Sequence, residues 1–246
     1  MEILQKKSVY SNKFMVFGHR GVPSLCKENT FASFNKAIDL EYDGIELDIM
    51  TTKDNHLIVL HDLNININSH QIQIQDLDYN ELLEKGNIKP PLLKDLLISI
   101  GHKTKINIEI KNQGQISLFV LEKTINLLKS FNLIDNIIIS SFNPKIIKQS
   151  KKIDDRFFTA WIWGEKNYHP WNCWTIILNY FKPDGIHIKH TLIRAEIIKK
   201  LQSKKIKILA YTVNEKKDLL RMMKEKIDGI FTDSPSILKL ARSQDV

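Results

Sequence analysis

Short β-rich runs alternate with amphipathic segments along the chain, and no stretch reads as a linker. The runs fall at 14–18, 44–49, 106–110, 137–140, 157–161, 185–188, 207–211 and 229–232. Between them the pattern predicts helices that include 30–40, 116–130, 144–152, 192–202 and 215–226. Within 116–130, Leu118, Leu121, Ile125 and Leu128 recur at the three-and-four spacing of one apolar helix face. Asn29 before Thr30, Asn143 before Pro144 and Asn214 before Glu215 stand where helix N-caps belong. Regular strand–helix alternation implies a parallel sheet, and eight such units are the count of a (β/α)₈ TIM barrel, an α/β fold. The rival is an open doubly wound sheet, but no G-x-G-x-x-G follows the first strand. One barrel domain is expected over 1–246, with its core at about 14–240.

One region breaks the rhythm. Residues 57–60 read as a short extra strand paired with 44–49 through the turn near Asp54 and Asn55. The polar run 62–78 after it reads as an enlarged, irregular loop at the barrel mouth.

Composition adds bounds rather than a function. The 246 residues are 43% hydrophobic, enough for a large core, and no run approaches the ~20 apolar residues of a membrane span. Residues 1–13 are mixed polar and lack the apolar segment of a secretory signal, so the cytoplasm is the expected location and no stable membrane insertion is expected. Cys26 and Cys173 fit no metal or redox spacing and read as reduced thiols. The net charge of +8 comes from scattered lysines. The densest basic stretch, Lys199 to Lys207, ends one predicted helix and opens the next strand, as a solvated face would. No nucleic-acid partner is expected, although a basic surface steers anionic small molecules inward.

Candidate chemistry sits on the strands. Residues i and i+2 of a strand share a face, so Glu46 and Asp48 on the second barrel strand point together, and Glu109 and Lys111 repeat the arrangement on the third. Three carboxylates at a barrel mouth repel one another and are costly to desolvate. One divalent cation resolves that conflict, and an all-oxygen donor set suits Mg²⁺ or Ca²⁺; the alternative is pairing with Lys or Arg. His19 and Arg20 follow the first strand, with Gly21 allowing a tight turn, and His61 and Asp62 follow the extra strand. Two imidazoles beside a cation and an arginine suit phosphoryl chemistry by acid–base catalysis, one taking a proton from the nucleophile and the other protonating the leaving alkoxide; the sequence does not fix which is which, and His19 is taken as base only as a starting choice. His187 and Lys189 share a face of the sixth strand, expected to be inward, and Lys189 is a candidate phosphate contact. Phe157, Trp161, Trp163, Trp171 and Trp174, with His169 among them, read as packing around the fifth strand; Trp161 or Trp163 is the candidate for lining a pocket.

The ordered set Gly18-His19-Arg20-Gly21, Glu28-Asn29-Thr30, Gly44-Ile45-Glu46-Leu47-Asp48, His61-Asp62, Glu109-Ile110-Lys111, Ser140 to Pro144, Tyr211 to Asn214 and Asp228 to Pro235 resembles the glycerophosphodiester phosphodiesterase family over about 14–240. The resemblance implies a barrel of the phospholipase-C-like phosphodiesterase type that hydrolyses small-molecule glycerophosphodiesters to sn-glycerol 3-phosphate and an alcohol. It implies Glu46, Asp48 and Glu109 as metal ligands, His19 and His61 as the acid–base pair, and Arg20 and Lys111 as phosphate contacts. Glu28 would hold the His19–Arg20 turn or touch substrate, and Tyr211 replaces the family's Trp as an aromatic floor. In several relatives a glycerol hydroxyl attacks phosphorus first, and water opens the cyclic phosphate. Residues 63–69 depart from the family pattern, so substrate choice is open there, and the short interval from His61 to Pro91 leaves no room for a large cap domain. Phospholipase D-like cleavage of lysophospholipids or sphingomyelin on the same barrel is one alternative; a non-catalytic protein binding an anion or nucleic acid is another.

Overall fold

The computed structural model describes residues 9–10, 13–165 and 173–244. In chain order its strands are β1 (Met15–Gly18), β2 (Gly44–Thr51), β3 (Leu57–Val59), β4 (Asn64–Ile67), β5 (His70–Gln73), β6 (Lys105–Ile110), β7 (Ile137–Ser141), β8 (Phe158–Trp163), β9 (Gly185–Lys189), β10 (Lys207–Tyr211) and β11 (Gly229–Thr232). Its helices are α1 (Phe31–Asp39), α2 (Tyr79–Glu84), α3 (Leu93–Ile100), α4 (Ile116–Ser130), α5 (Pro144–Ile153), α6 (Cys173–Phe181), α7 (Ala195–Ser203), α8 (Lys216–Lys224) and α9 (Pro235–Gln244). β1, β2 and β6 to β11 are all parallel, and β1 pairs with both β11 and β2, so the eight strands close into a barrel. Closure is tight where Phe17 lies opposite Gly44: a Cβ on Gly44 would collide with the Phe17 ring.

Period-two alternation divides each barrel strand between two cores. Val16, Ile45, Leu47, Ile108, Ile139, Ile186, Ile208 and their like face outward against the helices. Met15, Phe17, Ile138, Phe158 and Leu209 face inward and fill the bore, with Val9 and Tyr10 of the amino-terminal segment packed among them. Side chains on both faces are buried, as a parallel barrel requires. No helix among the described residues is long and apolar enough to cross a membrane.

Helix ends correct two of the three expected caps. Thr30, not Asn29, caps α1, its hydroxyl accepting from the Ser33 amide. Asn143 caps α5 as expected, accepting from the Lys145 amide, with Pro144 at the first helical position. Asn214 caps nothing: α8 starts after Glu215, and the Asn214 side chain binds Asp233 and Thr232 instead. On α4 the buried face runs through Val120, Leu121, Thr124, Ile125 and Leu128, leaving Leu118 43% exposed on the far side.

The run 62–78 is more ordered than its polarity suggests. β3 pairs antiparallel with β2, and β4 and β5 form a hairpin whose turn residues, Asn68 and Ser69, both have positive φ. That is the geometry of a type I′ turn, whose twist matches the flanking strands. Ile67 and Ile74 join Met50, Ile58, Leu77 and Leu82 in a separate small core, which anchors the hairpin beside the barrel. The two-strand period in Asn-Ile-Asn-Ile was masked by the asparagines.

Candidate active site

Every barrel strand delivers its carboxyl end to one mouth, where a cavity of about 190 Å³ opens. His19, Arg20, Glu46, His61, Glu109 and Lys111 all line it, so the structure brings both histidines and two of the three predicted carboxylates to one wall-to-wall site. Asp48 lies directly behind: Glu46, Asp48 and Glu109 each offer an oxygen, all within 4.8 Å of one another, and all three residues are buried or nearly so.

The first turn is built by backbone constraint. Arg20 takes φ 54° and Gly21 φ 90°, both in the left-handed region. A Cβ on Gly21 would strike Ser33 of α1, so glycine is required for contact as well as for φ. The Ser33 hydroxyl accepts from the Val22 amide at 2.7 Å and donates to the Arg20 carbonyl at 3.1 Å, fastening the turn to the helix. Three consecutive residues then brace the site. Glu28 takes two hydrogen bonds from Arg20 Nη1, at 2.9 and 3.1 Å; Asn29 donates to Asp48 Oδ2 at 2.9 Å; Thr30 caps α1. Glu28 therefore holds the Arg20 guanidinium.

The acids are partly paired, as the alternative reading required. Lys111 Nζ sits 3.1 Å from Asp48 and 2.9 Å from Glu109, and Arg20 Nε lies 3.3 Å from Asp48 Oδ2 as an ion pair too poorly aligned for a hydrogen bond. Two cations do not balance three carboxylates. Burial raises the Asp48 carboxyl but Lys111, Arg20 and His61 outweigh it, and the net shift is down. Burial and the neighbouring Asp48 push Glu46 up to about 8, and burial with Asp48 also raises Glu109. Carboxylates that resist ionisation beside one another are a site short of positive charge. An all-oxygen set of this kind fits a hard divalent cation, and Glu46, Asp48 and Glu109 are the residues that would hold it.

The histidines differ. His19 Nδ1 lies 2.8 Å from Asp233, whose other oxygen accepts from Asn214 Nδ2 at 2.6 Å. Burial lowers the His19 pKa, but the Asp233 hydrogen bond and the charge of Glu46 outweigh it and raise it overall. His61 Nδ1 lies 2.7 Å from Asp62; burial dominates there, with Lys111 and Arg20 adding to it, and its pKa falls. Asp233 and Asn214 escaped assignment because they stand at the ends of the last two strands, far from His19 in sequence; their presence within the quoted motifs was the available signal.

Other expectations move. Trp161 does not line the cavity: it faces the outer core, stacked on Trp163 at 5.8 Å, and Trp163 stacks on Trp174 at 5.6 Å. Parity is the reason, since Ile162 between them turns inward and lines the cavity with Phe142, Tyr211 and Phe231. Tyr211 thus stands in the cavity wall, its phenol pKa raised by burial and by Glu109. His187 also lines the cavity, but Lys189 is engaged with Glu165 at 2.7 Å and does not. None of residues 63–78 lines the cavity; Leu63, Gln73 and Gln75 instead border Asn112, Gln113 and Gly114, the residues that follow Lys111. His169, Trp171 and the side chain of Cys173 lie outside the described residues; Cys26 is a free thiol.

Comparison with known proteins agrees with this geometry. Residues 19–237 match the glycerophosphoryl diester phosphodiesterase family. A glycerophosphodiester phosphodiesterase of Caldanaerobacter subterraneus subsp. tengcongensis is 31% identical over 238 residues, covering 92% of this chain and 96% of its own. Among solved structures, a Thermotoga maritima glycerophosphodiester phosphodiesterase superposes with a TM-score of 0.78 at 25% identity, covering 94% of this chain and 100% of its own. An Oleispira antarctica phosphodiesterase, solved in complex with the product sn-glycerol-3-phosphate, shares the fold with a TM-score of 0.82 at 21% identity, covering 96% of this chain and 99% of its own. Barrel, carboxylate cluster and paired histidines thus coincide with a match over most of the chain, and the chain belongs to the glycerophosphoryl diester phosphodiesterase family, an enzyme of the phosphoric diester hydrolase class.

Proposed function

We propose that the protein hydrolyses glycerophosphodiesters to sn-glycerol 3-phosphate and an alcohol, with a divalent cation held by Glu46, Asp48 and Glu109 and with His61 and His19 moving the protons. The observation that carries this reading is the meeting of the three carboxylates, within 4.8 Å of one another, with both histidines around one cavity.

The cation, Mg²⁺ or Ca²⁺, supplies positive charge against a phosphoryl oxygen when bound. Arg20 and Lys111 line the same cavity and bring two more fixed charges to the phosphate. His61, its pKa lowered, favours its neutral form and accepts the proton of the attacking glycerol hydroxyl; water then opens the cyclic phosphate so formed to give sn-glycerol 3-phosphate. His19, whose pKa Asp233 and Glu46 raise against the effect of burial, is the more readily protonated of the two and gives its proton to the departing alkoxide. These directions reverse the starting choice made from the sequence. Asp233 and Asn214 act on His19 rather than on substrate, holding Nδ1 so that Nε2 is the transferring atom.

The purified protein should release sn-glycerol 3-phosphate from glycerophosphocholine, lose that activity to EDTA and regain it with Mg²⁺ or Ca²⁺. Turnover unaffected by thorough chelation would sink the cation's part; no release from any glycerophosphodiester would sink the reading as a whole.

A further inference from the structure

Among the polar side chains of the cavity that the chemistry above leaves unused, Asn107 is the one with an unpaired buried atom. Asn107 lines the cavity yet is only 1% exposed. It is the register partner of Glu46 on the neighbouring strand and stands two residues before Glu109 on its own, so it shares their inward face. That spacing sets it about 6.6 Å deeper than Glu109 from the mouth.

Its amide has a defined orientation. Nδ2 donates to Ser140 Oγ at 3.0 Å, while the Ser140 hydroxyl is directed at the Ile108 carbonyl at 3.5 Å. With that proton engaged, Ser140 accepts from Asn107, and Asn107 Oδ1 is left without a protein donor. A buried acceptor in this state costs about 1–3 kcal/mol. Glu46 and Glu109 are the neighbours, and neither can donate once a cation holds them ionised. Across the bore His187, burial holding it neutral, is engaged through Nε2 with Tyr10 Oη at 3.1 Å. Ile162 and Phe231 complete this part of the cavity and bring no donor.

We propose that Asn107 Oδ1 forms a hydroxyl subsite on the cavity floor, accepting a hydrogen bond from an O–H of the substrate's glycerol unit. The inference rests on the reading of this cavity as a glycerophosphodiester site and adds a basis for selection. A phosphodiester whose alcohol carries a free hydroxyl satisfies the orphaned oxygen, whereas a deoxy analogue leaves it buried and unpaired, the circumstance in which sites discriminate strongly.

Equilibrium binding of two unreactive ligands tests this without turnover. In the presence of the cation, the unmodified protein should bind sn-glycerol 3-phosphate about tenfold or more tightly than propyl phosphate, both measured by calorimetry. Asn107→Leu, similar in shape, should abolish that preference by weakening glycerol phosphate and leaving propyl phosphate unchanged. Ser140→Ala, which frees the amide to rotate, should reduce the preference in the same direction and guards against a folding failure of the first variant. The inference is overturned if both ligands bind equally to the unmodified protein, if either folded variant keeps the preference, or if the variants instead lose cation affinity with selectivity intact. A protein that releases glycerol 3-phosphate but shows no preference would defeat this inference alone. One that neither turns over glycerophosphodiesters nor binds either phosphate would defeat the functional reading with it.

Discussion

The two ends of the barrel bore use the same strands and the same inward face for opposite purposes. At the amino-terminal end Met15, Phe17, Ile138, Phe158 and Leu209 pack together, closed from below by Val9 and Tyr10. At the carboxyl end the corresponding positions hold Glu46, Asp48, Asn107, Glu109 and Lys111, all buried or nearly so. β2 shows the change within one strand: Gly44 is pressed against the Phe17 ring, and two and four residues later the strand presents carboxylates. One end is complete without a ligand. The other keeps Glu46 pushed up to about 8 and Asn107 Oδ1 unpaired. Stability is concentrated at the base, which leaves the mouth free to hold groups that a folded core ordinarily rejects.

The contrast can be broken by changing each end and reading both stability and turnover. The largest effect should come from the histidines: His61→Ala and His19→Ala should each lower kcat by on the order of 10³-fold, with the thermal midpoint nearly unchanged. A folded variant retaining wild-type rates would remove that histidine from the mechanism. At the base, Phe158→Ala should cost about 3–5 kcal/mol of unfolding free energy, measured by denaturant titration, while the folded fraction keeps its kcat. An equal loss of kcat would show that the two ends are not separable.

Saturating Mg²⁺ or Ca²⁺ should stabilise the fold by about 2.7 kcal/mol at one hundred times the dissociation constant, and Glu46→Gln should abolish most of that gain. The sign of the pH dependence sharpens the point. A carboxyl whose folded pKa lies above its unfolded value contributes stability that is full below the unfolded pKa and lost as pH rises through the folded one. The cation-free protein should therefore lose thermal stability as pH rises from 4.5 to about 8, and Glu46→Gln should flatten that slope. A slope unchanged by the substitution would relocate the strain to another group.

The smallest expected effect is on the pH–rate profile. Activity should fall on the acid side as His61 becomes protonated below 6.5, and on the alkaline side as His19 loses its proton above 6.5. Asp233→Asn, which removes the hydrogen bond and charge that raise His19, should move the alkaline limb to lower pH and leave the acid limb in place. Movement of the acid limb instead would exchange the two roles.

Much of this was legible from local pattern. All eight barrel strands, the extra strand after β2, and the inward direction of Glu46, Asp48, Glu109 and Lys111 follow from period-two alternation, which depends on neighbours in the chain. The hairpin β4–β5 was less legible because asparagine carries a weak strand signal, and its Ile residues bury against a core assembled from β2, β3 and α2. Trp161 was misplaced for a similar reason: aromatic character suggested a pocket wall, whereas its position between inward Ala160 and Ile162 assigns it to the outer core.

Residue identity and spacing, then, determined the barrel, its strand count and the side chains that face its bore, since these obey the geometry of a single strand or helix. Tertiary structure decided the partners. His19 meets Asp233 across 214 positions, Asn107 finds Ser140 across 33, and Tyr10 reaches His187 across 177. Those contacts set the direction in which each imidazole's pKa moves and which amide oxygen is left without a donor, because pKa and hydrogen-bond satisfaction depend on distance in space and on exclusion of water, quantities that ring closure alone brings into being.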